Sequence, residues 1–552
     1  MGLSRRFSFT WGDRDLRAIR SPEDVPEQFN FATALLDRHL AEGRGGRMAL
    51  WGPAGNLTYE ELYRLANQAG NALRELGVEA EQRVLLLLRD SPEFIATYLG
   101  AMKMGAVPVA LNTFAHPKDY EFYLSNSRAR LLVGEADFLE PIEPLVRTIP
   151  SLRGVVSVRG EGSSGAHRFE QIVSAQPDEL EPAPTHRDQP AYWVYTSGST
   201  GESKAAVHLH RNTIFAVEPF IRHVARLTPE DINFSLARLF FSYGLVNSLF
   251  MPLWAGAGVA LLPDRPEPDA VLHMIEQYRP TLLFSVPTAY SRMLHEGFDE
   301  KRLASLRLCV SAGEALPAPI FERWKEKTGL EIIDGVGSTE FGYIFLANRP
   351  GSVVAGTSGT VFPEHKFRLV DPEGKDAAPG GMGELWMSAH SIAAYYFRNH
   401  EASKKTFLGE WLRTNDQYEM GEGGVLTYQG RSDDLFKSGG IWVSPIQVES
   451  TLLSHPAVAE ASVVAERDPE GLEKPIAYVV LKSGHDAGEG MAKELRSHTR
   501  ERLAVYKCPK SFHFVKELPK TATGKIQRFK LRQQAGQRSR PEGHAEGMES
   551  NQ

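Results

Sequence analysis

Residues 195–204 read YTSGSTGESK and form a segment rich in glycine and hydroxyl side chains. Gly198 and Gly201 let the backbone turn so that several N–H groups converge on one point, and the hydroxyls add further donors. Lys204 closes the segment with a positive charge, so it is suited to holding phosphate oxygens. It is not a Walker loop, because two residues separate the glycines and Ser203 precedes the lysine. Taken alone, the segment is explained equally well as a solvated linker.

Strand-like and helix-like segments alternate on both sides of this loop. A helical pattern at 59–77 stops at Gly77. Short apolar runs typical of buried strands lie at 83–90, 106–111, 129–137, 191–195, 281–287 and 307–313. Alternation of this kind predicts an α/β fold with largely parallel sheets.

The pattern of predicted helices and strands changes twice towards the C-terminus. After about residue 355, strand pairs joined by Gly, Pro and Asp turns predict a β-rich subdomain. Beyond the glycine-rich segment 430–440, a second, smaller α/β pattern begins. We therefore predict a large N-terminal domain of stacked α/β sheets over 1–432, a small mobile C-terminal α/β domain over 433–532, and a disordered tail over 533–552.

Composition excludes several classes of protein. The 552 residues carry 62 Lys and Arg against 69 Asp and Glu, a net charge of −7, which argues against a nucleic-acid-binding protein. Cys309 and Cys508 have no spacing typical of a disulfide framework or metal cluster, so buried reduced thiols are expected. The N-terminus lacks the apolar core of a signal peptide, and no window approaches the ~18 apolar residues of a membrane span. A cytoplasmic protein is expected.

Three more segments carry candidate chemistry, each with a structural alternative. Thr339 and Glu340 follow a glycine turn and could bind a phosphate and Mg²⁺, or they could cap a helix. Asp416 could accept hydrogen bonds from ribose hydroxyls, or it could be an ordinary turn residue. Lys525 ends a Thr-Gly turn in a basic segment, which could equally be a solvated face.

Taken together, these motifs resemble the adenylate-forming superfamily of acyl- and aryl-coenzyme A synthetases, peptide-synthetase adenylation domains and beetle luciferase. The matching motifs stand in the order of the family: YTSGSTGESK (195–204), GVGSTE (335–340), GEL (383–385), WLRTND (411–416), GRSDDLFKSGGIWVSPIQVE (430–449) and PKTATGKIQR (519–528). Residues 29–40, 240–257 and 338–351 look most similar to benzoate- and hydroxybenzoate-coenzyme A ligases.

The resemblance implies a role for each matching residue. The phosphate loop would close over the outer phosphates of ATP and comprises Thr196, Ser197, Gly198, Ser199, Thr200, Gly201 and Lys204. Thr339 would contact the α-phosphate, Glu340 would hold Mg²⁺, and Lys525 would bridge the substrate carboxylate and the α-phosphate as the third catalytic residue.

The remaining implied roles concern the nucleotide, coenzyme A and the domain hinge. Asp416 and Arg431 would bind the ribose, and Asp433 would be the hinge of the C-terminal domain. The other residues assigned to cofactor binding are Gly313, Asp334 and Gly335, together with Gly439 and Gly440 beside the pantetheine tunnel.

The acid pocket is assigned to Phe241, Ser242, Tyr243, Gly244, Gly337 and Tyr343. Phe241 and Tyr243 suit a flat aromatic ring, although core aromatics are the alternative. Ser242 stands where the benzoate branch commonly has alanine, and Tyr343 where it commonly has histidine. Their extra hydroxyls could bond a ring substituent, so a hydroxy- or amino-substituted benzoate is expected. Ser203 replaces the usual proline of the phosphate loop, and Asn415 replaces the usual glycine before the ribose aspartate.

The activity implied is that of an ATP-dependent aryl-acid coenzyme A ligase. It would form an acyl-adenylate with release of pyrophosphate, and then a thioester with release of AMP. The alternatives are transfer of the acyl group to the phosphopantetheine of a carrier protein in trans, or a non-catalytic nucleotide-binding protein of the same fold. A luciferase-like oxidation is a third alternative, disfavoured because nothing in the pocket segment resembles that branch. ATP, Mg²⁺ and coenzyme A are the expected cofactors, no nucleic acid or membrane partner is expected, and the chain is expected to be a monomer or homodimer.

Overall fold

A computed structural model describes residues 18–160, 165–197, 203–378, 380–438, 441–468, 472–520 and 526–538. The chain divides into two compact units. The larger unit comprises Met1–Leu316, Ile320–Arg368 and Trp386–Thr414, and the smaller comprises Pro317–Pro319, Leu369–Leu385 and Asn415–Gln552. These units group residues 415–432 with the C-terminal part, whereas the sequence places a domain boundary after residue 432. That boundary stays a prediction.

A nine-stranded sheet occupies the larger unit. Its strands lie in the order Thr360–Val361, Ile344–Ala347, Ile332–Gly337, Leu308–Ala312, Leu282–Ser285, Ile232–Ser235, Gly258–Ala260, Met48–Trp51 and Leu57–Thr58. The six strands from Ile332–Gly337 to Met48–Trp51 are parallel to their neighbours, and the outer pairs are antiparallel. These short apolar strands are buried on both faces of the sheet. They match the sequence-based prediction of largely parallel sheets built from buried strands.

An eight-stranded sheet is the second sheet of the larger unit. Its order is Tyr395–Tyr396, Ser203–Leu209, Pro190–Ser197, Val107–Ala110, Arg83–Leu87, Leu131–Glu135, Gly154–Val158 and His167–Arg168. The first three strands are antiparallel to one another and the rest are parallel. The phosphate loop therefore connects two neighbouring antiparallel strands at one side of this sheet.

Helices cover both sheets. They are Phe31–Leu35, Asp37–Ala41, Tyr59–Glu75, Pro92–Lys103, Pro117–Ser127, Ala136–Leu139, Glu143–Val146, Phe169–Ser174, Asn212–Phe220, Ser242–Leu245, Met251–Ala255, Pro268–Tyr278, Pro287–Glu296, Ala318–Thr328 and His400–Thr406. Two π-helical turns, Ile221–Ala225 and Val246–Phe250, continue two of these helices. The helix predicted at 59–77 begins after Thr58, whose hydroxyl accepts from the N–H of Glu61 at 3.2 Å.

Close packing of two helices depends on glycine. A Cβ atom on Gly100 would lie 2.4 Å from the carbonyl oxygen of Ala66, and one on Gly70 would lie 2.9 Å from the carbonyl oxygen of Gly100. The backbones of Tyr59–Glu75 and Pro92–Lys103 approach more closely than any side chain would permit.

The later part of the chain is richer in antiparallel strands. A five-stranded sheet has the order Lys366–Val370, Met382–Ser388, Trp411–Met420 and Phe407–Leu408, with Leu426–Arg431 paired to Trp411–Met420. The smaller unit holds the hairpin Phe436–Ser438 and Ile441–Val443, and a three-stranded sheet of Val458–Arg467, Glu473–Leu481 and Ser511–Phe514. Its helices are Pro445–Leu453, Glu489–Arg502 and Arg528–Arg538.

The last helix runs six residues into the segment predicted to be a tail. Leu531 and Ala535 lie four residues apart on one face and are both buried. They pack with Leu518, Val464 and Tyr478, and this burial gives residues 533–538 a reason to remain helical.

The structure confirms the mixed α/β prediction and the expectation for the two cysteines. Cys309 and Cys508 are buried free thiols. Across the described part of the chain, no helix combines the length and apolar character that crossing a membrane requires.

Candidate active site

The two strands that flank the phosphate loop are in register up to its edges. Thr196 pairs with Lys204 and Ser197 with Ser203 across the antiparallel ladder. The Lys204 ammonium lies 5.3 Å from the centroid of the Tyr396 ring. Four predicted phosphate-binding residues, Gly198, Ser199, Thr200 and Gly201, lie outside the described residues, as do Lys525, Gly439 and Gly440. Their assigned roles stay predictions.

The second motif, 335–340, is a strand that ends in a tight turn. After Ile332–Gly337 the chain turns through residues 338–343 and returns as the antiparallel strand Ile344–Ala347. Ser338 stabilises the turn, since its hydroxyl accepts from the N–H of Phe341 at 3.1 Å. No helix follows Glu340 in this described segment, so the alternative of a helix-capping glutamate is wrong.

Gly337 and Gly244 are required by close backbone contacts. A Cβ atom at Gly337 would lie 2.4 Å from the carbonyl oxygen of Tyr343, and one at Gly244 would lie 2.0 Å from that of Arg238. Both distances are shorter than any van der Waals contact. Both glycines therefore shape the backbone of the pocket whether or not they touch a ligand.

Glu340 is held at two points by one neighbouring segment. The hydroxyl of Tyr396 donates to its Oε1 atom at 2.6 Å, and the N–H of Ala393 donates to its carbonyl oxygen at 2.8 Å. Among the described residues, no group donates to the other carboxylate oxygen, Oε2.

This arrangement fits the assignment of Glu340 to Mg²⁺. The described residues contain no group of three or more His, Cys, Asp or Glu side chains placed to hold a metal ion. Mg²⁺ is commonly bound by one or two carboxylates together with the phosphates of a nucleotide, so a single carboxylate with one oxygen available is a suitable donor set.

His208, which none of the sequence motifs indicates, contacts the same turn. Its Nε2 atom lies 2.9 Å from the carbonyl oxygen of Thr339, and its ring stacks on Tyr192 at 5.0 Å and 11°. Burial lowers the pKa of His208 to about 4, so the ring is neutral at pH 7. A neutral ring can donate from Nε2, and the Nδ1 atom then has no partner among the described residues.

Aromatic rings line the assigned acid pocket. The rings of Tyr243 and Tyr343 stack at 6.3 Å and 22°, and Phe284 meets Tyr243 edge-on at 6.4 Å. Phe220 packs edge-on against Tyr343 at 5.2 Å. Tyr343 is fully buried, and Phe241 and Tyr243 are partly buried against the same core.

The two hydroxyls expected to bond a ring substituent are already used within the protein. Ser242 donates to the carbonyl oxygen of Gly342 at 2.9 Å, and Tyr343 donates to Oδ1 of Asn247 at 2.5 Å. Asn247, which the sequence did not indicate, lies on the π-helical turn Val246–Phe250. The hydroxyl of Tyr243 is also buried but makes no hydrogen bond of good geometry with the described residues. The Asn247 side chain interacts with this hydroxyl, although no well-aligned hydrogen bond joins the two.

Three polar side chains form a row across neighbouring parallel strands beside this pocket. Ser285 pairs with Ser311, and Ser311 pairs with Asp334. All three side chains are buried, and Ser285 Oγ, Ser311 Oγ and Asp334 Oδ1 lack partners among the described residues. Burial raises the pKa of Asp334 well above its ordinary value. Gly335 follows Asp334 in the strand, and Gly313 turns the chain out of the next strand at φ +93°.

The predicted ribose residues are neighbours in the smaller unit. Asp416 and Arg431 face each other across an antiparallel pair, with Arg431 Nε 3.6 Å from Asp416 Oδ1. Asn415 adopts φ +60°, in the left-handed region that glycine favours and asparagine tolerates, which explains why it can replace the usual glycine. Asp433 is exposed, and its carbonyl oxygen accepts from Arg532 at 3.3 Å. Its role as a hinge stays a prediction.

Comparison with known proteins adds independent findings. The sequence pattern of the family described as AMP-binding enzyme matches residues 37–397, and that of the AMP-binding enzyme C-terminal domain matches residues 447–525. The chain is 43% identical to a benzoate–CoA ligase of Thauera aromatica over 92% of this chain and 96% of that protein. It is 40% identical to a 4-hydroxybenzoate–CoA/benzoate–CoA ligase of Rhodopseudomonas palustris over 92% of this chain and 94% of that protein.

A solved structure is similar over nearly its whole length. The crystal structure of an anthranilate CoA ligase in complex with anthranoyl-AMP superposes with a TM-score of 0.89 at 39% identity, covering 94% of this chain and 99% of that one.

Proposed function

We propose, from the premise that the chain belongs to the family of AMP-binding enzymes, that it is an ATP-dependent aryl-acid coenzyme A ligase acting on a hydroxy- or amino-substituted benzoate. The comparisons confirm two sequence-based predictions: the family, and the enzyme class of AMP-forming acid–thiol ligases. The relatives carry the names of ligases for benzoate, hydroxybenzoate and anthranilate, which supports an aromatic acid. Their names give no support to the carrier-protein alternative.

One observation supports the proposal most directly: the residues assigned to the phosphates and a residue assigned to the acid pocket lie on the same turn. Residues 337–343 contain Thr339 and Glu340 at one end and Tyr343 at the other. A ring that stacks near Tyr343 would therefore present its carboxylate towards the Thr339–Glu340 end of the same turn. Proximity of this kind is the main requirement for joining a weakly nucleophilic carboxylate to a phosphorus atom.

The proposed reaction has two steps at this site. A carboxylate oxygen attacks the α-phosphorus of ATP and pyrophosphate leaves, giving the acyl-adenylate. Both reactants are anions, so Thr339 would donate to an α-phosphate oxygen and Lys525 would offset the developing charge. Magnesium, when bound to Glu340 and the phosphates, supplies further charge neutralisation. The thiolate of coenzyme A then attacks the carbonyl carbon, and AMP leaves.

Tyr243 is the residue that we assign to the ring substituent. Its hydroxyl is buried and has no well-aligned partner, whereas the hydroxyls of Ser242 and Tyr343 are already donated. An unmade hydrogen bond in a buried site costs about 1–3 kcal/mol, and a hydroxyl or amino group on the ring would remove that cost. An unsubstituted benzoate would leave it in place.

A substrate panel tests the proposal. Benzoate, its 2-, 3- and 4-hydroxy and amino derivatives, and short fatty acids are each incubated with ATP, Mg²⁺ and coenzyme A, and AMP and thioester are quantified. We expect the highest kcat/KM for a substituted benzoate. A preference for an aliphatic acid would contradict the aromatic pocket, and AMP formation without any thioester would contradict coenzyme A as the acceptor.

A further inference from the structure

We propose that Tyr396 is a positioning residue for the adenylation half-reaction: its hydroxyl fixes the Glu340 carboxylate in the orientation that binds the magnesium–nucleotide. The inference rests on the proposed function, because Glu340 needs a fixed orientation only if it is a metal ligand. Tyr396 lies outside every motif singled out in the sequence. It is 4% exposed, and its hydroxyl donates to Glu340 Oε1 at 2.6 Å.

Strand pairing places Tyr396 beside the catalytic turn. The short strand Tyr395–Tyr396 adds to the edge of the eight-stranded sheet, where Tyr396 pairs with Ala206 of the strand that follows the phosphate loop. Just before it, the N–H of Ala393 donates to the carbonyl oxygen of Glu340 at 2.8 Å. The segment 393–396 thus binds Glu340 by its backbone and by its carboxylate, although 53 residues or more separate them in sequence.

The same ring also contacts the phosphate loop. Lys204 lies on the strand that pairs with Tyr395–Tyr396, and its ammonium is 5.3 Å from the centroid of the Tyr396 ring. This distance is within the range of a cation–π contact. Tyr396 therefore contacts the cation that closes the phosphate loop through its ring face and the metal-binding carboxylate through its hydroxyl.

A fixed carboxylate should bind metal more tightly than a mobile one. One oxygen of Glu340 is occupied by Tyr396, and the other has no donor among the described residues. The hydrogen bond removes rotamer freedom that would otherwise be lost when the metal binds. Groups that orient a metal ligand in this way typically change metal affinity about 10–100-fold when they are removed.

Tyr396→Phe isolates the hydroxyl from the rest of the side chain. The ring packs against Phe407 at 5.2 Å and lies in a small cluster with Ala206 and Ala393, so a phenylalanine preserves the packing and the contact with Lys204. Tyr395→Phe is the matched control. Tyr395 lies on the opposite face of the same strand and is 41% exposed.

The affinity for Mn²⁺ tests the role of Tyr396 without relying on catalytic activity. Mn²⁺, a paramagnetic substitute for Mg²⁺, is titrated into the full-length enzyme saturated with ATP, and free Mn²⁺ is measured by electron paramagnetic resonance. We expect Tyr396→Phe to weaken Mn²⁺ binding about 10-fold, while the affinity for metal-free ATP and the thermal midpoint stay close to wild type. Tyr395→Phe should match wild type in all three measurements.

Glu340→Gln separates failure of this inference from failure of the proposed function. If Glu340→Gln weakens Mn²⁺ binding and Tyr396→Phe does not, the positioning role is wrong and the metal assignment stands. If neither variant changes Mn²⁺ binding, the assignment of Glu340 is wrong as well. In the double variant, the Tyr396→Phe change should add nothing to the loss caused by Glu340→Gln. Additive losses would show that Tyr396 acts on something other than Glu340.

Discussion

His208 donates a hydrogen bond from Nε2 to the carbonyl oxygen of Thr339 at 2.9 Å, and so ties a strand of the eight-stranded sheet to the turn 338–343 of the nine-stranded sheet. The two residues are 131 positions apart in sequence. The ring is fixed by stacking on Tyr192, whose hydroxyl lies 2.9 Å from the hydroxyl of Thr213. The backbone of Thr339 is therefore positioned by a buried, neutral side chain.

Replacing His208 should impair adenylation rather than acid binding. We expect His208→Ala to lower kcat for acid-dependent ATP–pyrophosphate exchange about 10-fold, which corresponds to roughly 1.4 kcal/mol of transition-state stabilisation, with a smaller change in KM for the acid. His208→Gln retains an N–H donor near the position of Nε2 and should recover part of the rate. Equal losses in the two variants would show that the ring fills space and that its hydrogen bond is unimportant.

Burial of His208 also predicts a dependence of stability on pH. The pKa is about 4 in the folded protein and near 6.5 in the unfolded chain, so below pH 6.5 the unfolded state binds more protons and stability falls as the pH falls. On lowering the pH from 8 to 5, this one group lowers the free energy of unfolding by about 2 kcal/mol. His208→Gln should therefore lose about 2 kcal/mol less than wild type over that range in urea titrations. Identical losses in the two proteins would contradict a buried neutral histidine.

The hydroxyl of Tyr243 should decide preference for substituted rings. We expect Tyr243→Phe to lower kcat/KM for the best hydroxy- or aminobenzoate about 10-fold, the effect of one buried hydrogen bond, and to leave benzoate nearly unchanged. Tyr343→Phe is the matched control, because its hydroxyl is donated to Asn247. That variant should affect substituted and plain benzoates alike. If Tyr343→Phe alone changes the ratio between the two acids, the substituent is bound by Tyr343 instead.

Gly337 should tolerate no side chain. An added Cβ atom would lie 2.4 Å from the carbonyl oxygen of Tyr343, so Gly337→Ala must move one of the two strands that flank the turn 338–343. We expect a loss of about 1–3 kcal/mol in unfolding free energy, together with a loss of most activity. Gly46→Ala is the control, since a Cβ atom there meets no atom within 4 Å. Wild-type activity in Gly337→Ala would show that the turn adapts.

Local patterns in the sequence were sufficient to predict the fold class and to single out the candidate residues that lie inside motifs. Alternating apolar runs indicated the parallel sheets, and Thr339, Glu340, Asp416 and Arg431 all lie on strands or on the turn between two of them. Helix capping was the favoured alternative for Glu340, and it failed because the residues that follow it return as a strand.

The supporting residues could not be found in the same way, because their partners are remote in sequence. His208, Asn247 and Tyr396 look like ordinary residues of buried segments. Each gains its role from a contact to the turn 338–343 that only the pairing of distant strands and helices creates. A polar side chain within a buried strand, as in KAAVHLH (204–210), was the one available signal that a specific partner exists.

Lys525 provides the sharpest separation of the two half-reactions. The resemblance assigns it to the carboxylate and the α-phosphate, which meet only during adenylation. Removing its charge from a reaction between two anions should be severe, so Lys525→Ala is expected to lower acid-dependent ATP–pyrophosphate exchange at least about 100-fold. Thioester formation from a supplied acyl-adenylate and coenzyme A should largely survive, because that step expels AMP and joins no second anion to phosphorus.

Lys520→Ala is a suitable control, since Lys520 forms an ion pair with Glu460 at 2.7 Å and has no assigned role in the chemistry. Loss of both half-reactions in Lys525→Ala would point to a structural role, and unchanged exchange would show that another cation serves the α-phosphate.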